Sequence, residues 1–321
     1  MKVAFTLCSN NYLAQASLLI TSFTKHNPDY VFYLVLVDKI LPGIKYPVGD
    51  QVELISCDQF MDESLLSSLA AKYKIVELNT AVKPFFFEYI FSRHNDVEVI
   101  YLDPDIYVYH SFAYIENALV EHDFVLTPHI LSPIKLDNAF PSERQFVKFG
   151  IYNLGFLALK KSRDSVNFVI WWRERLTEFC YSETQLGVYV DQSWAAFIPC
   201  FYPNFHISHH AGMNAAFWNL HERVYTVFGG QYIVNEKDPL LFFHYSSFNL
   251  SNYSELARGG TRFNFDTRKD VIPLFEGYAR EYKAAKQIYT ASVPCYYTER
   301  TLKSKLFYYL NRWRIRKQFK L

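Results

Sequence analysis

The chain has 321 residues, half of them hydrophobic, and a formal net charge of +1. That length suits one large α/β domain or two modest ones with a sizeable core. Near-neutrality excludes a global field selecting nucleic acid or another polyanion, and no apolar run reaches the roughly 18 residues of a membrane span. Cys8, Cys57, Cys180, Cys200 and Cys295 show neither metal spacing nor a paired framework, which suits a reducing compartment. The 25 Tyr and 29 Phe read chiefly as an aromatic core.

Val3 to Leu7 reads as a first strand. An apolar run after Met-Lys also opens secretory signals, but Ser9, Asn10 and Asn11 interrupt this one early. A polar turn, Cys8 to Tyr12, and a helical pattern through about Lys25 follow. Strand, turn and helix in that order open a nucleotide-binding βαβ unit. No Gly-rich loop is present, so neither the dinucleotide fingerprint nor the P-loop applies. A nucleotide here is expected to rest on Asn side chains, a stacking Tyr12 and backbone groups. Val31–Val37 and Val52–Ile55 read as further strands, and Asp58 as the N-cap of a helix through Ala71. Thr80 is a candidate N-cap that puts Lys83 in a first helical turn, the end that disfavours cations. Lys83 is then either solvated or aimed at a phosphate or sugar.

Val97 to Leu102 is a short apolar run, the signature of a buried strand. Asp103, Pro104 and Asp105 follow directly. Residues two apart in extended chain share a face, and Pro104 holds Asp103 extended, so the two carboxylates can converge. Such a pair suits a hard divalent cation. An Asp-Pro-Asp triplet is equally a common turn.

A helix over about 112–121 and a strand Asp123–Thr127 come next, then Pro128 and His129. Residues 130–145 read as a loop over a site. Tyr152 to Leu159 is a strand with a polar entry at Asn153 and Gly155, and Ser162–Cys180 an amphipathic helix. Asp191 and Gln192 lie in apolar surroundings, either on a helix surface or in a pocket. His206, His209, His210 and His221 suggest zinc, but their spacing is loose and no Cys joins them. Leu240–Phe243 is a late strand delivering His244 at its end, and imidazole with carboxylates suits Mn²⁺. From Lys303 onward the acids vanish. Lys303, Lys305, Arg312, Arg314, Arg316, Lys317 and Lys320 alternate with Leu306, Phe307, Tyr308, Tyr309, Leu310, Trp313, Ile315 and Phe319. That pattern suits an anionic membrane interface, or a solvated helix packing its aromatics on the domain.

Taken in order, these motifs resemble the GT-A-fold glycosyltransferases, and most of all glycosyltransferase family 8 with its bacterial lipopolysaccharide sugar transferases. The resemblance spans roughly residues 3–250, and the basic aromatic tail is similar too. It implies an α/β Rossmann-like GT-A fold with a mixed central sheet and a C-terminal helical tail. It implies a catalytic domain over 1–255 and an extension over 256–321 that carries a membrane-surface tail. Asp103, Asp105 and His244 match the family's ligands for Mn²⁺ or Mg²⁺. Asn10 and Tyr12 match the turn holding the uracil and ribose of a UDP-sugar, and Lys83 a basic residue near the donor sugar. Asn153 matches the Asn beside donor and acceptor, and Asp191 and Gln192 the pair near the anomeric carbon. The implied reaction is hexose transfer to a hydroxyl of a glycan or glycolipid in bacterial surface polysaccharide synthesis, with retention. The implied location is the inner face of the cytoplasmic membrane. Two departures stand out. Cys8-Ser-Asn-Asn replaces acidic residues in the first turn, and Ser246-Ser-Phe-Asn replaces Gly-x-x-Lys-Pro-Trp after the late His. The competing expectations are a sugar nucleotidyltransferase and a non-catalytic glycan-binding or assembly protein.

Overall fold

The computed structural model describes residues 1–250, 255–289, 293–298 and 302–318. In chain order its first half comprises β1 (Lys2–Cys8), α1 (Leu13–His26), β2 (Val31–Leu36), β3 (Val52–Ser56), α2 (Glu63–Lys72), α3 (Ile75–Arg93), β4 (Glu98–Leu102), β5 (Ile106–Val108), α4 (Ala113–Glu121) and β6 (Phe124–Leu126). Then come α5 (Glu143–Phe149), β7 (Phe156–Lys160), α6 (Arg163–Phe179), the short β8 (Ser182–Glu183) and β9 (Val188–Tyr189), α7 (Gln192–Ala195), α8 (Ile198–Phe201) and β10 (Phe205–Ile207). A three-stranded sheet of β11 (Tyr225–Phe228), β12 (Gln231–Val234) and β13 (Asp238–Pro239) precedes β14 (Phe242–His244), α9 (Ile272–Ile288) and α10 (Leu302–Gln318).

The central sheet has seven strands in the order β10-β6-β7-β4-β1-β2-β3. β7 runs antiparallel to both its neighbours and the remaining pairs are parallel. β1 is apolar along nearly its whole length because both of its faces are covered. Val3, Phe5 and Leu7 point to the side of α3 and α6, and Ala4 and Cys8 to the side of α1. Phe5 alone meets Phe86, Phe87 and Tyr101 at 4.8–5.1 Å between ring centroids.

Two helix starts differ from the sequence expectation. α2 is capped by Asp62, which accepts from the Ser64 and Leu65 amides, while Asp58 pairs with Lys39 at 2.6 Å. α3 begins at Ile75 rather than near Thr80, so Lys83 and Pro84 fall inside it. Proline there removes a helical hydrogen bond. Burial of Val82, Phe85, Phe86 and Phe87 around it offsets the loss.

The C-terminal helices close over the sheet's helical layer. α9 lies on α1, and α10 on α2. Arg312 is 8 % exposed and turns inward. It forks onto Glu77 at 2.6 and 2.8 Å, reaches Glu183, and lies over the Tyr308 and Tyr181 rings. Glu77 also accepts from the Lys74 and Ser182 amides at 2.9 Å, so one buried carboxylate ties α3, β8 and α10 together. Arg312 therefore belongs to the interior face of the helix. Leu306, Phe307, Leu310 and Trp313 remain exposed. Phe319 and Lys320 lie outside the described residues. Among the described residues no helix is long and apolar enough to cross a membrane.

Removing one partner of a buried ion pair leaves an uncompensated charge and costs about 3–5 kcal/mol. Arg312→Ala is expected to lower unfolding stability by about that amount in urea titration, and Glu77→Ala by a similar amount.

Candidate metal centre and cleft

β4 delivers the acidic pair at its carboxyl end. The Asp103 amide donates to the Gly155 carbonyl at 2.7 Å, and the Ile106 amide donates to the Asp103 carbonyl at 3.1 Å. These bonds close a tight turn around Pro104 and start β5. β14 pairs antiparallel with β5 and sets His244 opposite Ile106. The Tyr245 amide donates to the Asp105 carbonyl at 2.9 Å. The late strand is thereby laid directly beside the carboxylates.

His244 Nε2 lies 3.1 Å from Asp105 Oδ1 and 3.8 Å from Asp103 Oδ2. The ligand atoms of the three side chains all fall within 4.8 Å of one another, the only such group among the described residues. The imidazole is 4 % exposed, whereas the carboxylates are 33 % and 22 % exposed and face the cleft. Burial by itself lowers the His244 imidazole. Asp105 and then Asp103 outweigh it and hold the group above its usual value. Two carboxylates and one imidazole form an oxygen-rich set with one nitrogen, which suits Mn²⁺ or a similar divalent ion. The Tyr101 hydroxyl donates to Asp103 Oδ1 and fixes that carboxylate.

A hydrogen-bonded network backs the imidazole. Asn153 Oδ1 accepts from the Gly155 amide at 3.2 Å and pairs with His244 Nδ1 at 3.3 Å. Asn153 Nδ2 donates to Gln192 Oε1 at 3.3 Å and to His129 Nε2 at 3.1 Å. Gln192 also accepts from the Leu154 amide at 3.1 Å and donates to the Phe149 carbonyl at 2.9 Å. His129 donates from Nδ1 to the Ile151 carbonyl at 3.1 Å, and burial pushes its imidazole down to about 4. Trp218 meets both His129 and His244 edge-on, at 5.4 and 5.3 Å. His129 and Trp218 carry no motif that sequence reasoning could attach to this site.

The cleft beside the carboxylates has a volume of about 220 Å³. Ser9, Asn11 and Tyr12 line one wall, Asn79 and Thr80 the other, and Asp103 and Asp105 lie at its edge. Tyr12 is placed there as the sequence suggested. Asn10 is not. It is fully buried, with its amide donating to the Lys39 carbonyl at 3.0 Å and its carbonyl accepting from the Tyr46 hydroxyl at 3.0 Å. Asn11, the next residue of a 3₁₀ turn, faces the cleft in its place. Successive residues of such a turn point about a third of a turn apart, which a count of polar residues cannot resolve.

Lys83 is 3 % exposed and does not line the cleft. Its ammonium bonds Asp191, donates to the Leu154 carbonyl at 2.9 Å and sits 4.0 Å from the Tyr101 ring centroid. Asp191 is 2 % exposed, and burial raises its carboxyl even though the Lys83 ammonium opposes the shift. Asp191 and Gln192 are thus buried rather than on a helix surface, and neither lines the cleft. The His-rich stretch is dispersed. His206 stacks on His122, His209 bonds the Ile207 carbonyl, His210 bonds the Gly212 amide, and His221 bonds Ser132.

No protein-family model matches the chain. The uncharacterized protein YfnD of Bacillus subtilis (strain 168) is 25% identical over 254 residues, 78% of this chain and 79% of YfnD. The uncharacterized protein YfnF of the same strain is 23% identical over 284 residues, 85% of this chain and 89% of YfnF. Among solved structures, the galactosyltransferase LgtC with donor and acceptor sugar analogs is 15% identical, with a TM-score of 0.48 over 92% of this chain and 98% of that one. An active-site mutant of LgtC is 14% identical, with a TM-score of 0.50 over 88% of this chain and 96% of that one. The latter match shows the fold: the chain has the mixed α/β GT-A architecture of LgtC.

Proposed function

We propose that the protein is a metal-dependent glycosyltransferase. It moves a hexose from a nucleotide-diphosphate sugar, a UDP-sugar, to a hydroxyl of a glycan or glycolipid in bacterial surface polysaccharide synthesis, with retention. The observation that carries the reading is the meeting of Asp103, Asp105 and His244 beside a cleft at the carboxyl ends of β1 and β4. Open α/β sheets bind ligands at that edge.

Asp103, Asp105 and His244 would hold Mn²⁺ or Mg²⁺, which when bound supplies Lewis-acid stabilisation of the departing diphosphate. Tyr12 offers a ring face to the base, and Asn11 an amide to the base or ribose. Asn10 supports that turn from behind through Lys39 and Tyr46. Lys83 acts through its partners: it pins Asp191 and packs on Tyr101, whose hydroxyl holds Asp103. Asn153 backs the metal centre and holds His244 in place, and Gln192 holds Asn153 in turn. With Asp191 committed to Lys83, the acceptor proton passes to the leaving phosphate oxygen.

In this reading residues 1–255 carry catalysis and residues 256–321 bring the enzyme to the cytoplasmic face of the membrane. Leu306, Leu310 and Trp313 recur at helical spacing on the exposed side of α10, with Arg314 and Lys317 beside them. Replacing Leu310 and Trp313 with Ser is expected to reduce co-sedimentation with anionic phospholipid vesicles by about tenfold, while the protein stays folded. Unchanged vesicle binding would remove the tail from this role.

The central test is thermal-shift screening of nucleotide sugars with and without Mn²⁺, followed by Mn²⁺-dependent hydrolysis of the best binder. Stabilisation by a UDP-sugar that needs Mn²⁺, with release of UDP, is expected. Glycan binding without hydrolysis would favour the non-catalytic reading, and pyrophosphate release the nucleotidyltransferase. Metal assistance is worth several kcal/mol, so Asp105→Ala is expected to cut turnover by about 10³-fold or more. Gly155 supplies a second test. A Cβ there would fall 2.5 Å from His244 Cε1 and 2.8 Å from both His244 Nδ1 and Asn153 Oδ1. Gly155→Ala is expected to weaken Mn²⁺ binding about tenfold with a stability loss of only about 1–3 kcal/mol, read by titration and by urea unfolding.

A further inference from the structure

The Asn153 amide has both of its hydrogens and both of its acceptor positions engaged. On one side Nδ2 meets two acceptors, His129 Nε2 and Gln192 Oε1. On the other side Oδ1 meets the Gly155 amide and His244 Nδ1. Turning the amide over would set its NH₂ against the Gly155 N–H and its carbonyl against two acceptors, so only one orientation is satisfied. That orientation requires a lone pair on His129 Nε2. The requirement is met because His129 Nδ1 donates to the Ile151 carbonyl. The ring is held on its faces and edges as well. It stacks on Phe146 at 5.0 Å, and Trp218 wedges between it and His244. Asn219 donates to the His129 carbonyl at 3.0 Å, and Asn214 to the Pro128 carbonyl at 3.3 Å. Trp218, Asn214 and Asn219 thus hold His129 and the residue before it, whereas the histidines between 206 and 221 bond elsewhere.

We propose that His129 is a positioning residue for the metal centre: through Asn153 it keeps the proton of His244 on Nδ1, so that Nε2 is presented to the ion held with Asp103 and Asp105. This rests on the reading of those three side chains as the ligands of a divalent cation. Outer partners of a ligating imidazole fix its tautomer and orientation, and their loss weakens metal binding about 10–100-fold.

The test compares His129→Phe with His129→Gln. Phenylalanine keeps the ring packing on Phe146 and Trp218 and removes the acceptor. Glutamine returns an acceptor oxygen near the Nε2 position. Mn²⁺ binding without donor is read by electron paramagnetic resonance of the free ion, and tautomers by long-range ¹H–¹⁵N spectra of histidine-labelled protein. Expected are Nδ1–H His129 in the wild type, Mn²⁺ affinity at least about tenfold weaker in H129F, and recovery to within about threefold of wild type in H129Q. Wild-type affinity in H129F, equal losses in both variants, or an Nε2–H His129 in the wild type would overturn the proposal. The wild-type spectrum decides the matter even if H129F does not fold. A wild type that binds no Mn²⁺ refutes the metal reading itself, which is a separate result.

Discussion

The site depends on one short antiparallel pairing, that of β5 with β14. Each strand has three residues, too few to define a register unaided. A slip of one residue would turn His244 to the opposite face and take the imidazole away from Asp105. Contacts on both flanks prevent it. Val108 donates to the Ser22 hydroxyl at 3.1 Å and Tyr109 to the Leu241 carbonyl at 2.9 Å. At the other end His244 donates to the Ala215 carbonyl at 2.7 Å and Tyr245 to the Asp105 carbonyl at 2.9 Å. Between them Phe242 packs against Phe112 and Phe156. The register is thus held by core packing, by three backbone–backbone bonds outside the strand pair itself and by one bond from the backbone to the Ser22 hydroxyl.

What the sequence made legible follows from range. The Asp103–Asp105 convergence comes from the two-residue period of extended chain, which is local. The boundaries of α6 came within a residue because Ser162 caps it and accepts from the Ser165 amide, also local. α3 starts before Thr80 because Glu77 accepts from the Lys74 amide, and the same carboxylate also serves Ser182 and Arg312, far along the chain. Lys83 read as a free cation because the carboxylate that neutralises it is 108 positions away. His129 was invisible for the same reason. Nothing in Pro128-His129 announces an amide 24 positions on or a tryptophan near 218.

Charges that look functional along the chain divide into two kinds once the fold is closed. Lys83 with Asp191 and Arg312 with Glu77 are buried pairs. Such pairs are expensive to desolvate and act mainly by refusing any arrangement that separates them. They fasten the α7 region and α10 to α3. Asp103 and Asp105 are different. They are the charged residues among those lining the cleft in the described part of the chain, and the His244 imidazole stands beside them. Two partly exposed carboxylates converging on one imidazole leave negative charge facing the cleft, and a divalent cation would neutralise it.

The two departures from the glycosyltransferase pattern can be understood in the same terms. The first turn lacks acids, yet its backbone still finds one. Asp38, from the end of β2, accepts from the Asn10, Lys39 and Tyr296 amides. A carboxylate from a neighbouring strand thus organises the turn from beneath, and the Asn11 and Tyr12 side chains are left to the cleft. The segment after His244 is likewise put to a different use. Tyr245 stacks on Tyr278 with ring centroids 3.9 Å apart, and Phe248 meets Phe275 edge-on at 4.9 Å. Aromatic contacts here fasten α9. Backbone capping holds the first turn, and aromatic packing holds the segment after His244.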